Sequence, residues 1–450
     1  MRSLLLVTAV AAFSATYVAA KPSKTLPQLA DRAASLPAVT ASGNAFWAGS
    51  SRFYVRGIDY QPGGSSNLTD PLANSDVCNR DIAEFKKLGI NTVRVYTIDN
   101  SKSHDDCMNA LAAAGIYLIL DVNNPLYSIN RDKPGPSYNA VYLQNIFATI
   151  DEFVKYSNTL AFFSGNEVID SNASSTLSAP YVKAVTRDMR QYIAKRGYRK
   201  VPVGYSAADV SQNRMQLADY MNCGSDDERS DFFAFNDYSW CNTDFEVSGW
   251  NQKVKNFTGY GLPIFLSEYG CITNGRDFGE VGALMNSEMT SVYSGGLMYE
   301  YALEVNNFGI ASIQGSSVSE LPAFTKFASA LSANPAPTGD GGFTSTTNSQ
   351  ACPTKDSDWL VDSTLLPAMP ADASAYLKHG AGSGPGLDGS GSQNAGSTSV
   401  SMAAPNSASS TSSPSPSKNA GVTAMGSMDK SPIIISGIVF FFTLAGALIL

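Results

Sequence analysis

Eight short runs of β-branched and aromatic residues recur along this chain, each followed by a segment with helix-spaced apolar positions, and no other feature restricts its fold so strongly. The runs are RFYVRGIDY (from Arg52), INTVRVYTI (from Ile90), IYLILDVN (from Ile116), LAFFSGNE (from Leu160), KVPVGYSA (from Lys200), FFAFNDYS (from Phe232), PIFLSEYG (from Pro263) and GGLMYEYA (from Gly295). Connecting segments such as NRDIAEFKKLG and APYVKAVTRDMRQYIAKRG end in glycine, the common residue past a helix C-terminus. Parallel strands need such crossover helices, so the alternation predicts an α/β fold with a parallel sheet. Eight repeats predict a TIM (β/α)8 barrel, in which functional side chains gather at the C-terminal ends of the strands.

Nearly every run begins apolar and ends polar. The ends carry Asp59, Tyr60 and Gln61; Tyr96; Asp121 and Asn123; Asn166 and Glu167; Asn236, Asp237 and Tyr238; Glu268 and Tyr269; and Tyr299, Glu300 and Tyr301. Each taken singly has an ordinary explanation, since carboxylates prefer solvent and tyrosines pack with a wet hydroxyl. Seven strands ending this way predict one polar rim. Glu167 closes the fourth run and Glu268 the seventh, so both point into the same mouth from opposite sides. Two facing carboxylates are the equipment of glycoside hydrolysis, one giving a proton and the other acting as nucleophile or base. The rim tyrosines Tyr60, Tyr96, Tyr238, Tyr269, Tyr299 and Tyr301 offer flat surfaces for sugar rings.

Composition removes most other chemistries. The formal net charge is -8 with no basic run, which leaves no electrostatic footprint for nucleic acid. The only histidines are His104 and His379, too few for a histidine-built zinc site, and no metal or other cofactor is expected. Six cysteines, Cys78, Cys107, Cys223, Cys241, Cys271 and Cys352, read as three disulfides of an exported protein, with 15 connectivities open. Sequons at Asn67, Asn172 and Asn256 mark N-glycosylation acceptors.

The ends of the chain read as processing signals. Residues 1–20 have the form of a secretory signal peptide. Residues 21–380 form the predicted barrel domain with a C-terminal extension. Residues 381–421, rich in Ser, Gly, Pro and Thr, read as a flexible stalk, because they carry too little apolar surface to fold. Asn419, Ala420 and Gly421 supply the small triplet of a GPI attachment site, with Asn419 the acceptor, and residues 422–450 are the removed propeptide with its apolar tail.

The pairing of SGNE with LSEYG resembles the clan of retaining glycosidases with an Asn-Glu acid/base and a second glutamate as nucleophile. Together, GIDYQPGG, VRVYTID, LDVNNP, FFSGNEV and FLSEYGC resemble the fungal β-1,3-glucanosyltransferases of glycoside hydrolase family 72, over Phe46 to Cys352. The resemblance implies cleavage of an internal β-1,3-glucan bond and transfer of the new reducing end to another glucan chain. It implies Glu167 as acid/base, Glu268 as nucleophile and Asn166 as a ligand of the 2-hydroxyl. Tyr60, Gln61, Tyr96, Asp121, Asn123, Tyr238 and Tyr301, with Tyr299 beside it, would bind donor and acceptor sugars. Placement of the cysteines around such a barrel, in agreement with the resemblance, pairs Cys78 with Cys107, Cys241 with Cys271 and Cys223 with Cys352. One cysteine past the eighth strand implies the short form, without the cysteine-rich carbohydrate-binding domain of some relatives. A monomer held by a GPI lipid at the outer face of the plasma membrane and in the cell wall is expected. An endo-β-glucanase or mannanase using the same glutamates, and a non-catalytic glucan-binding wall protein, are the competing readings.

Overall fold

The polar-ended runs become the eight parallel strands of a closed barrel: β1 (Val55–Asp59), β2 (Thr92–Val95), β3 (Tyr117–Asp121), β4 (Thr159–Asn166), β5 (Val203–Ala208), β6 (Phe232–Asp237), β7 (Ile264–Tyr269) and β8 (Tyr293–Met298). They pair in sequence order, and β8 closes onto β1. This computed structural model describes residues 36–393 and 395 and the backbone of Met402 and Ala403. The signal peptide, Asn419 and residues 422–450 lie outside the described residues. Among the described residues no helix is long and apolar enough to cross a membrane.

The principal helices are α1 (Ser75–Leu88), α2 (Asp105–Ala113), α3 (Ala140–Phe153), α4 (Ala179–Lys195), α5 (Arg214–Met221), α6 (Trp250–Phe257), α7 (Gly279–Leu284) and α8 (Pro322–Ala333). Their ends follow from local sequence. Asn74 caps α1 by accepting from the backbone N–H groups of Asp76 and Val77, and Gly89 ends it in the left-handed region at φ 73°.

The first run differs from its sequence reading. Ser51–Phe53 belongs to a three-stranded antiparallel sheet with Val39–Ser42 and Ala45–Ala48, and only Val55–Asp59 enters the barrel. This sheet presses Phe46 against Phe232 and Phe265, with ring centroids 5.8 Å apart in both contacts. Phe163 joins them, so an apolar plug fills the N-terminal half of the barrel.

Register then sets the polar layer. Arg94 pairs with Asp59 across β1 and β2, Glu268 with Asn236 across β7 and β6, and Asn166 with Ser206 across β4 and β5. Each charged or amide side chain therefore has a polar neighbour at its own height.

Three disulfides fasten the surroundings: Cys78–Cys107, Cys223–Cys352 and Cys241–Cys271. The segment after α8 is held by the second of these and by Trp359, which is buried against Tyr220. Packing also continues past the stalk boundary read at residue 381. Ala381 donates its N–H to the Tyr192 hydroxyl at 3.0 Å, Gly386 to Asn100 Oδ1 at 3.0 Å and Ser392 to the Leu126 carbonyl at 2.9 Å. Residues 381–393 are poor in apolar surface but are held by backbone donors, which composition does not reveal.

Candidate active site

The charged layer rests directly on the plug. The guanidinium of Arg94 lies 4.7 Å from the centroid of the Phe163 ring and 4.2 Å from that of Tyr96. It is fully buried and meets Asp121 through two hydrogen bonds, from Nε at 2.8 Å and Nη2 at 3.2 Å. Its Nη1 donates to Glu268 Oε1 at 3.2 Å and to the Ser267 carbonyl at 3.1 Å.

Glu268, 7% exposed, accepts two further bonds: Tyr96 donates to Oε1 at 2.8 Å and Tyr238 to Oε2 at 2.6 Å. Burial pushes its carboxyl up to about 7 from the ordinary 4.5. Arg94 and the two hydroxyls oppose that rise, and the charge of Glu167 adds to it.

Glu167 stands half-exposed one residue past the end of β4, in the left-handed backbone region at φ 48°. A non-glycine residue there costs on the order of 1 kcal/mol and persists where its surroundings impose it. The imposing groups are visible. Its N–H donates to the Ser206 carbonyl at 2.9 Å, and Arg131 donates to the carbonyls of Glu167 and Val168 at 2.5 and 2.7 Å. Its carboxylate accepts from Asn236 Nδ2 at 2.8 Å, while Asn236 Oδ1 accepts from Ser267 Oγ at 2.8 Å. Ser206 Oγ lies 2.8 Å from Ser267 Oγ and donates to Asn166 Oδ1 at 2.7 Å. A chain of hydrogen bonds thus connects the strand end that carries Glu167 with the one that carries Glu268.

Tyr96, Tyr238 and Tyr299 gather beside Glu268, with Tyr299 6.5 Å from Tyr96 and 6.3 Å from Tyr238 in edge-to-face contacts, and Phe308 closes the group. These residues form an aromatic wall. Other sequence-predicted positions lie elsewhere. Tyr60 and Tyr301 are fully buried outside the barrel, packed on Phe85, and both donate to Asp81 of α1 at 2.7 and 2.9 Å. The expectation that they bind sugars is corrected. For Tyr60 the physical reason is alternation, since Asp59 points inward and its neighbour must therefore point out, and Tyr301 is drawn to the same Asp81 from beyond the end of β8. Gln61 is buried with both ends of its amide engaged: Oε1 accepts from the N–H groups of Tyr96 and Thr97, and Nε2 donates to the Thr69 carbonyl. It ties the β1 and β2 loops together. Asp121 is occupied by Arg94. Asn123 accepts from the Tyr142 hydroxyl, and its Nδ2 is buried without a hydrogen-bond partner.

Arg94, Arg131, Ser206 and Ser267 are site residues that the sequence reading does not name, and Asn236 is named there only as part of the polar rim. An arginine between valines in the second run was the available signal. Among the described residues no group of His, Cys, Asp and Glu is arranged to hold a metal ion.

A parallel barrel with glutamates at the ends of its fourth and seventh strands, beside an aromatic wall, defines an enzyme of glycoside hydrolase type that acts on glycosidic bonds. Comparison with known proteins gives the family: residues 28–334 match the glucanosyltransferase model of glycoside hydrolase family 72, and the chain belongs to that family. It is 63% identical over 350 residues to the 1,3-beta-glucanosyltransferase gel1 of Aspergillus fumigatus, covering 77% of each chain. It is 52% identical over 355 residues to the 1,3-beta-glucanosyltransferase GAS5 of Saccharomyces cerevisiae, covering 78% of this chain and 73% of the relative. The fold is similar to that of a mutant of Saccharomyces cerevisiae Gas2p in complex with laminaritetraose and laminaripentaose, at a TM-score of 0.69 and 36% identity, covering 74% of this chain and 75% of that one. The chain is a glycosyl-transferring enzyme on a glycoside hydrolase fold.

Proposed function

We propose that this enzyme elongates and remodels β-1,3-glucan by a retaining transglycosylation. The observation that carries the reading is the unequal setting of the two glutamates. Glu268 is buried and takes three donors on its two oxygens, as a carboxylate that must attack in its ionised form requires. Glu167 is half-exposed and held by one amide, which suits a group that gives and retakes a proton.

In this reading Glu268 attacks the anomeric carbon of the donor glucan while Glu167 protonates the departing oxygen, leaving a covalent glycosyl-enzyme. Glu167, now a base, takes the proton from a hydroxyl of a second glucan chain, which attacks the same carbon and releases Glu268. Retention requires the two carboxyl groups about 5–5.5 Å apart. Asn166 is the ligand for the donor 2-hydroxyl, and Tyr96, Tyr238, Tyr299 and Asn123 contact the sugars. The laminari-oligosaccharides bound to the Gas2p mutant support β-1,3-glucan as donor and acceptor.

The same proposal includes export, a single-chain enzyme, a GPI lipid at Asn419 and residence at the outer face of the plasma membrane and in the wall. Exposure of Asn67, Asn172 and Asn256 suits their use as glycan acceptors. A reduced β-1,3-glucan oligosaccharide tests the reaction. Products longer than the starting chain are expected, and a product ladder made only of shorter chains would refute transfer.

A further inference from the structure

The one guanidinium at the barrel centre is surrounded by more carboxyl groups than it can serve. Asp121 receives two of its hydrogen bonds and Glu268 one. Asp59 is the third carboxyl: its Oδ1 lies 3.9 Å from Arg94 Nη1, beyond hydrogen-bond range, and the side chain is 0% exposed. Both Asp59 oxygens are buried without any hydrogen-bond partner. An ionised carboxylate in that state loses its hydration and gains no donor, which is among the most costly arrangements a protein interior offers.

We propose that Asp59 is a positioning residue that keeps its proton, so that the whole charge of Arg94 is left to Asp121 and to Glu268. This rests on the reading of Glu268 as the nucleophile. Three carboxylates around one cation would give a net charge of two minus, and among the described residues Arg94 is the cation that acts on Asp59. One proton reduces it to one minus, and the proton settles on the carboxyl with the poorest hydrogen bonding, which is Asp59. The other groups facing Asp59 reinforce this. Glu300, next to β8, is also buried, with Oε2 unpartnered and Oε1 accepting from Asn306 at 2.8 Å. Of the nearby tyrosines, Tyr96 and Tyr238 direct their hydroxyls to Glu268, the Tyr299 hydroxyl lies 3.5 Å from Ser65 Oγ, and Tyr269, the residue after the inward Glu268, packs in the outer core. Burial pushes the Asp59 carboxyl well above the ordinary carboxylate range, with Arg94 pulling the other way and Glu268, Asp121 and Glu300 adding to the rise. A neutral Asp59 fills the space beside Arg94 without competing for it.

Two measurements on the full enzyme decide the matter. The first is the infrared difference spectrum at pH 7 between wild type and Asp59→Asn, both carrying isotope-labelled aspartate carboxyls. A labelled carboxylic-acid carbonyl band present in the wild type and missing from the variant is expected; an ionised-carboxylate band in its place overturns the proposal. This readout is independent of which residue attacks the sugar. The second is the pH dependence of covalent labelling by a fluorinated glucosyl donor, mapped to its residue. Asp59→Asn exchanges one neutral group for another and should leave the acidic midpoint within about 0.3 pH units of wild type, whereas Asp121→Asn, which removes an ionised competitor for Arg94, should lower it by about one or more. A comparable fall in Asp59→Asn overturns the proposal. A label on a residue other than Glu268 removes the nucleophile reading on which it rests, while the infrared result still reports the charge of Asp59.

Discussion

Replacing Glu268 by glutamine should stabilise the protein, and only on the alkaline side of the acid range. The folded environment raises this carboxyl to about 7, against 4.5 when it is free in solution, chiefly by burial. A gap of about 2.5 pH units at about 1.36 kcal/mol each corresponds to about 3 kcal/mol. The sign follows from which form the fold prefers. Below pH 4.5 the carboxyl is neutral in both folded and unfolded chains, and the preference of the fold for the neutral form is fully present. As pH rises towards 7 the unfolded chain gains its charge freely while the folded chain resists it, so stability is lost. Glutamine has no charge to gain. With the amide oxygen on the Arg94 side Tyr96 can still donate to it, the amide NH2 can donate to the Tyr238 hydroxyl in place of the Oε2 contact, and Arg94 keeps both bonds to Asp121. The variant should therefore match wild type near pH 4 and exceed it by about 3 kcal/mol at pH 7.5. Urea denaturation at pH 4, 5.5 and 7.5, followed by tryptophan fluorescence, measures the difference directly. An equal gap at all three values, or a less stable variant at pH 7.5, would refute the claim that the buried charge of Glu268 is held at a cost.

Two further outcomes are expected. Tyr96→Phe keeps the ring over Arg94 but removes the hydroxyl 2.8 Å from Glu268 Oε1, and a hydrogen bond to a charged group is worth about 1.5–3 kcal/mol, so the acidic limb of the kcat/KM profile should move up by about one to two pH units. A limb that stays in place contradicts this. Cys352→Ser opens the disulfide to Cys223, which spans 129 residues, and should lower unfolding stability by about 2–5 kcal/mol and expose the segment around Trp359 to protease. An unchanged denaturation midpoint would assign that segment no share in stability.

Much of this architecture is legible before any coordinates, and the parts that are not have identifiable causes. Strand-helix alternation marks all eight barrel strands, because parallel pairing leaves little else for such runs to do. It does not show that Ser51–Phe53 turns into a different sheet, since the run is continuous in residue type through Tyr54. The glutamates stand out because carboxylates at the ends of apolar runs are conspicuous. Arg94 does not: one charge between two valines reads as a surface position until register sets it beside Asp59. Tyr60 and Tyr301 show the limit of counting polar strand ends. Their partner Asp81 sits on α1, and only a folded chain reveals that a buried carboxylate, itself paired with Arg80, draws both hydroxyls away from the cleft. The late end of packing near residue 393 escapes composition for a related reason, as glycine and alanine donate backbone hydrogen bonds without burying apolar area.

The apolar plug and the charged layer belong to one device. Phe46, brought in by the N-terminal sheet, packs below the barrel centre with Phe163, Phe232 and Phe265, so the side of Arg94 that faces them is lined by apolar rings and its side chain is fully buried. In a site so buried, electrostatic interactions are stronger than in water, and each carboxylate must be balanced by a donor or by a proton. The layer meets that requirement unevenly: Asp121 is paired, Glu268 is served by three donors yet still raised by burial, and Asp59 has none. The same burial that lowers the stability of the fold above pH 4.5 keeps water away from the Glu268 anion, and in the proposed reaction a poorly hydrated carboxylate lies closer in energy to the glycosyl ester it would form. Glu167 lies outside this enclosure, at the mouth, on a backbone turn that Arg131 and Ser206 hold in place. In the proposed retaining reaction, a group that exchanges a proton twice in each turnover gains from that access, and a group that attacks carbon gains from its absence.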